Sequence, residues 1–341
     1  MRRIVTLNAF LGYIVLFMVS ACNPAPTGLH QLHDYQQRVA NTLAVAPIIY
    51  EPLTALRAPT ARDVQLTIPR LQLSLLDSMR LDTCKAGQLI AERNSALGRL
   101  EAGIMRYYND RKLLAALYEC SAELDQDNPD LAARVLEQAQ AKAELMPMLL
   151  LQALSNDKSV RNVVSMADRP LAIADSSIFA TRIDSLNTVL RVIDTDAELP
   201  TEAELSTALE QLEKDRYIAQ LWRALQENRK YLKQLQPLVA NMSDPAGCLS
   251  AGVPNRARVL RQVFISTFSG PVQQHIGELT RQSRQLTPYV EALAVATNAA
   301  DIWQDHLRQI GALDDQLIDA TRNHVEYWQQ FFADCNFEPG A

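Results

Sequence analysis

Thiols are the most reactive groups in this chain, and five occur: Cys22, Cys84, Cys120, Cys248 and Cys335. Cys22 stands apart. It closes an apolar run, Ile4 to Met18 followed by Val19-Ser20-Ala21, that begins directly after Met1-Arg2-Arg3. A charged start, an apolar core and small residues before a cleavage point make a secretory signal. Export would place the other four thiols in an oxidising compartment, where cysteines serve mainly as staples. Four thiols permit three pairings, and helix geometry selects one. Cys84 opens one helical stretch and Cys120 closes the next, so an antiparallel hairpin brings both to the same end. Cys248 lies in a loop before the last helical pair and Cys335 at its finish, so the prediction is Cys84 with Cys120 and Cys248 with Cys335. No C-x-x-C spacing supports a redox pair or a zinc site.

Charged and imidazole side chains come next. Glu92-Arg93-Asn94-Ser95 falls beside Ile90 and Leu97 in a helical pattern, so part of the run must approach the core. A buried Glu or Arg needs a partner. The run therefore reads as a hydrogen-bond knot between helices, or as the polar floor of a ligand cleft; ion-pair networks often sit in folds without catalysing anything, which favours the knot. His30 and His33 share a helical face at three-residue spacing with only Asp34 near, short of a metal set. His324, four residues before Trp328 on an apolar stripe, reads as a core histidine. Asp125 to Asp130 spaces carboxylates like a calcium loop, but Pro129 holds the fifth position and the required glycine and final glutamate are missing. Asn128 as helix cap and Pro129 as first helical residue explain it better. Around Ser250 a cysteine stands where a nucleophile elbow needs its first glycine, and no phosphate loop, dinucleotide fingerprint or H-E-x-x-H occurs. The sequence assigns no catalytic residue, metal or cofactor.

Val19-Ser20-Ala21-Cys22 resembles the lipobox of bacterial lipoproteins. The resemblance implies that Cys22 becomes the mature N-terminus and carries acyl chains. One chain binds a membrane reversibly and several hold permanently, so the body would be tethered rather than spanning. Asn23, where lipoproteins kept at the inner membrane carry aspartate, implies the periplasmic face of the outer membrane.

The 341 residues carry 33 basic and 39 acidic side chains, a formal charge of −6. Loss of Arg2 and Arg3 with the signal leaves 31 against 39, a net of −8. Such a body is repelled by nucleic acid, which excludes it as a partner. Eleven glycines and 6% aromatics beside 48% hydrophobic residues favour helices.

These groups must be positioned by long helices. The expected order is a signal over 1–21, a lipidated tether over 22–28, an N-terminal helical lobe over 29–155, a connecting segment over 156–176 and a C-terminal helical lobe over 177–341. Apolar spacing predicts helices over 29–43, 104–124, 131–154 and 178–193. Thr201 and Glu204 form a capping box that opens a helix running to about 239. Further helices are predicted over 256–268 and 272–297, interrupted at Gly270-Pro271, and over 300–333. Leu71 to Met79 reads as helical turns. Val64, Leu66 and Ile68 alternate with polar neighbours and predict a short extended segment near 64–68. The fold class is all-α, an elongated bundle of long antiparallel helices in up to two lobes.

The stretch from Leu75-Leu76-Asp77 through Cys84 to Glu92-Arg93-Asn94-Ser95-Ala96-Leu97-Gly98 resembles the signature segment of a bacterial lipoprotein family known only as a domain of unknown function, DUF3080. That resemblance covers most of the mature chain and implies an exported helical protein without assigned activity. The expectation is a non-enzymatic lipoprotein, attached to the membrane through its acyl chains, whose body binds an envelope protein or a cell-wall polymer. The rivals are an envelope enzyme using Glu92 as a buried carboxylate and a carrier of an apolar ligand between helices.

Overall fold

Asn, Asp and Thr side chains mark where several of the helices begin, because a helix leaves its first backbone N–H groups without partners. Asn128 accepts from Leu131 N at 3.2 Å ahead of Pro129, Asp175 accepts from Ser177 N and Ile178 N, and Thr201 with Glu204 forms the complete capping box. The structure, a computed structural model, describes residues 28–51, 53–64, 66–69, 81, 84–172, 174–248 and 253–337. The signal, Cys22, the tether before residue 28 and the turns expected over Leu71 to Met79 lie outside them.

The fold is all-α. Its elements are α1 (Gly28–Leu43), the single turn α2 (Ala61–Val64), α3 (Lys85–Asn94), α4 (Gly103–Leu124), α5 (Pro129–Asn156), α6 (Lys158–Val163), α7 (Ser176–Ile193), α8 (Glu202–Lys214) and α9 (Tyr217–Val239). They continue with α10 (Asn255–Val263), a π-helical segment (Phe264–Val272), α11 (Gln273–Ala296), α12 (Asp301–Gly311) and α13 (Leu313–Asp334). No helix among the described residues is long and apolar enough to cross a membrane.

Helix α9 is the axis of the fold. Leu221, Trp222, Ala224, Leu225, Tyr231, Leu232 and Leu235 bury it nearly all round, against α13, α1 and α11. One apolar core runs from Leu32 of α1 to Phe331 of α13, and Val160, Val163, Met166 and Leu171 of the expected connecting segment belong to it. A smaller core, Leu81 to Ala139, lies within the α3, α4 and α5 layers. Arg111 ties the hairpin of α4 and α5 to the rest: its guanidinium donates to the carbonyls of Arg191, Val192, Asp194, Thr195 and Ala197 at the end of α7.

The structure corrects four sequence expectations. Val64 closes the turn α2, which the Asp63 carboxylate caps from Thr60, and no strand occurs among the described residues at 66–69. A lone strand has nothing to pair with in a helical body. The helix expected from 201 to 239 is two, because Asp215 leaves helical geometry, accepts from Tyr217 N at 2.7 Å and pairs with Arg182. Gly270-Pro271 does not interrupt the chain of helices but sits in the π segment, whose wider turn accommodates the missing proline N–H. The last helix breaks at Gly311-Ala312 into α12 and α13.

Candidate binding cleft

The Glu92-Arg93-Asn94-Ser95 run does not continue as helix. α3 stops at Asn94, Ser95 is its C-cap, and the chain folds back so that Gly98 lies against the carbonyl oxygens of Glu92 and Arg93. Any Cβ at Gly98 would collide with those oxygens, so the return demands glycine. Ser95 Oγ accepts from Gly98 N at 3.0 Å, and Arg106 of α4 donates to the Gly98 carbonyl at 2.8 Å. Leu97, expected on the buried face, is instead 80% exposed, because the helix that would have turned it inward has already ended.

Between this turn and α4 lies a cleft of about 260 Å³. Arg93, Arg106, Asn109, Lys112 and Glu101 form its half-buried wall, and Glu92 and Glu202 stand exposed at its edge. Of the four residues singled out by sequence, Arg93 alone turns toward the core; Glu92, Asn94 and Ser95 are exposed. Glu92 is therefore not the buried carboxylate that the enzyme reading required.

Arg93 ends in a knot that sequence reasoning foresaw only in kind. Its guanidinium pairs with Asp110 of α4, and Lys142 of α5 donates to the same Asp110 oxygen at 2.9 Å. Asp110 is 1% exposed. Burial pushes the Lys142 ammonium below its ordinary range; Asp110 opposes that shift, and the charges of Arg93 and Arg106 add to it. Arg106 is lowered for the same reasons, burial first and Arg93 second. Asp110 and Lys142 were missed, yet a signal exists. Tyr107, Asp110 and Leu117 share one face of α4, and Ala139, Lys142 and Met146 share one face of α5, so each charge interrupts an apolar stripe.

A second buried network pins the loop after α1 onto α9. Arg223 Nε donates to Glu227 at 2.5 Å, Tyr50 donates its hydroxyl to the other Glu227 oxygen, and Arg223 also reaches the Leu53 carbonyl at 3.2 Å. Burial, then Glu227, drives the Tyr50 hydroxyl far above its usual range, and burial raises Tyr231 to about 12. His33 lies 3.2 Å from the Tyr231 hydroxyl while His30 is exposed, and no group of three metal-type ligands exists among the described residues. His324 is fully buried: its Nε2 shares a hydrogen bond of 2.8 Å with the Tyr35 hydroxyl, and Trp328 donates to Tyr35 at 2.6 Å. Desolvation lowers His324 to about 3, so it is a neutral core imidazole.

Both expected cysteine pairs are in bonding position, with Cα separations of 5.5 Å for Cys84 and Cys120 and 4.6 Å for Cys248 and Cys335. A family model described as protein of unknown function, DUF3080, matches residues 32–339. The chain belongs to that family. No curated protein and no solved structure matches it. The match spans α1 to α13, so every element that builds the cleft lies within the DUF3080 region.

Proposed function

We propose that this DUF3080 protein is a lipoprotein of the bacterial envelope, held by acyl chains on Cys22 at the periplasmic face of the outer membrane, whose helical body binds an envelope protein or cell-wall polymer without catalysing a reaction. The observation that carries the reading is the juxtaposition of the Val19-Ser20-Ala21-Cys22 motif with a body whose remaining four cysteines stand in two bridging pairs. Bridged cysteines suit an oxidising compartment. The cleft supports binding rather than chemistry: Glu92 is exposed on its edge, and Arg93 in its wall is already engaged by the buried Asp110 behind it.

Crosslinking in intact cells tests the binding role. A photoreactive side chain at position 97, on the exposed turn beside the cleft, is expected to capture one discrete envelope component, and Cys22→Ser is expected to lose it by releasing the protein from the membrane. Capture of nothing at any exposed position around the cleft would end the binding reading. Recovery of the wild-type protein in the soluble cytoplasm would end the localisation.

A further inference from the structure

Helix α8 begins with Glu202 at the edge of the first cleft and ends at a second pocket, where Asp215 separates α8 from α9. This pocket has a volume of about 530 Å³, and its charged lining is Arg182, Lys214 and Arg216 with Glu210 and Asp215. Both carboxylates are already spent. Asp215 takes Arg182 Nε on one oxygen at 2.7 Å and Tyr217 N on the other at 2.7 Å, and Glu210 takes Lys214. Gln211, also in the lining, gives its side-chain oxygen to the Ser185 hydroxyl at 2.7 Å and keeps its amide N–H groups unused.

The cation left over is Arg216. Its half-buried side chain has no hydrogen-bond or ion-pair partner among the described residues, and its Nε is closed off from solvent. A guanidinium partly removed from water without a counterion is costly, and an oxyanion that takes two of its N–H groups is correspondingly favoured. Arg216 is also the N-cap residue of α9, so the positive end of a 23-residue helix adds to the same preference.

We propose that this elbow between α8 and α9 is an oxyanion site that takes a phosphate group, held by the terminal nitrogens of Arg216 and the side-chain amide of Gln211. The guanidinium fork matches phosphate oxygens, and donors supplied from two helices suit a tetrahedral group, whose oxygens do not lie in one plane. The volume falls within the range of ordinary small-ligand pockets, which leaves room for the alcohol of a phosphate monoester. The site is separate from the cleft beside Gly98 and does not rest on the binding role proposed above.

The test is calorimetric titration of the full-length protein with inorganic phosphate, glycerol phosphate and acetate. Both phosphates are expected to bind in one saturable step at millimolar concentration or below, and acetate more weakly. Arg216→Gln removes a charge that no described protein group uses, so it should fold as the wild type does and weaken phosphate about tenfold or more, as loss of a charge-assisted hydrogen bond does. Arg216→Lys keeps the charge and loses the fork, so its phosphate affinity should fall between the two. Arg258→Gln, outside this pocket, should leave the titration unchanged. The proposal is overturned if neither phosphate saturates, if acetate binds as tightly as phosphate, or if Arg216→Gln binds phosphate like the wild type. Should Arg216→Gln fail to fold, Arg216→Lys decides: weaker phosphate binding supports the site and unchanged binding overturns it. A preference for glycerol phosphate would assign the site to a phosphate ester and a preference for the free ion to inorganic phosphate, and either supports it.

Discussion

Asp110 is the residue on which the α3, α4 and α5 layers depend most. It is 1% exposed and takes both Arg93 and Lys142. Asp110→Ala would leave two cations sharing a buried wall without a counterion, a change that costs about 3–5 kcal/mol when one partner of a buried pair is removed. Urea unfolding should show that loss, and adding Lys142→Met to the Asp110→Ala protein should recover a good part of it. His324 supplies a pH test. Its pKa of about 3 in the folded protein lies below the ordinary 6.5, so the unfolded chain takes up the proton first. The stability it contributes is complete above pH 6.5 and is lost as pH falls toward 3. Between pH 7 and pH 4 the loss from this group is about 3 kcal/mol. His324→Gln keeps a neutral hydrogen-bonding side chain beside Tyr35, so its unfolding free energy should fall less over the same interval than that of the wild type.

At the scale of elements, two side chains each tie a pair of helices together. Asp157 accepts from Ser159 N and Val160 N at the start of α6, and its second oxygen accepts from Ile104 N at the start of α4. The left-handed backbone at Gly103, φ +63°, lets the chain pass Asp157 so closely that a Cβ there would strike its carboxylate. Arg111 similarly gathers the carbonyls at the end of α7. Arg111→Ala should lower stability by roughly 2 kcal/mol and raise amide exchange over residues 191–197, which hydrogen-exchange mass spectrometry would resolve. Helix existence was legible from apolar spacing and from caps such as Thr201 with Glu204, because those signals are local. The breaks at Asp215 and Gly311, and the early end of α3 at Asn94, were not. Asp215 breaks the helix by binding Arg182, 33 residues away in sequence, and α3 ends where Arg106 draws in the Gly98 carbonyl. The site was therefore half readable: Glu92 to Gly98 pointed to the right turn, whereas Asp110 and Lys142 came into view only once α4 and α5 were packed.

The whole molecule is an α-helical body threaded on α9, with a smaller layer of α3, α4 and α5 carrying the cleft and one cysteine pair. The Cys84 and Cys120 pair closes a separation of 36 residues and the Cys248 and Cys335 pair one of 87. On the chain-entropy model they contribute roughly 4 and 4.5 kcal/mol. Reduction should therefore lower the thermal midpoint without removing helicity, and Cys84→Ala with Cys120→Ala should loosen the cleft layer before the α9 core, as exchange protection in α3 and α4 would reveal. Under the proposed function an acylated residue 22 anchors a disulfide-braced helical body in the bacterial envelope. Intact mass spectrometry of the mature protein taken from its native membrane, before and after reduction, tests it directly. The expected result is a chain beginning at Cys22 that carries acyl mass, with no free thiol until reductant releases four. An unprocessed or unmodified residue 22 together with four free thiols before reduction would contradict it.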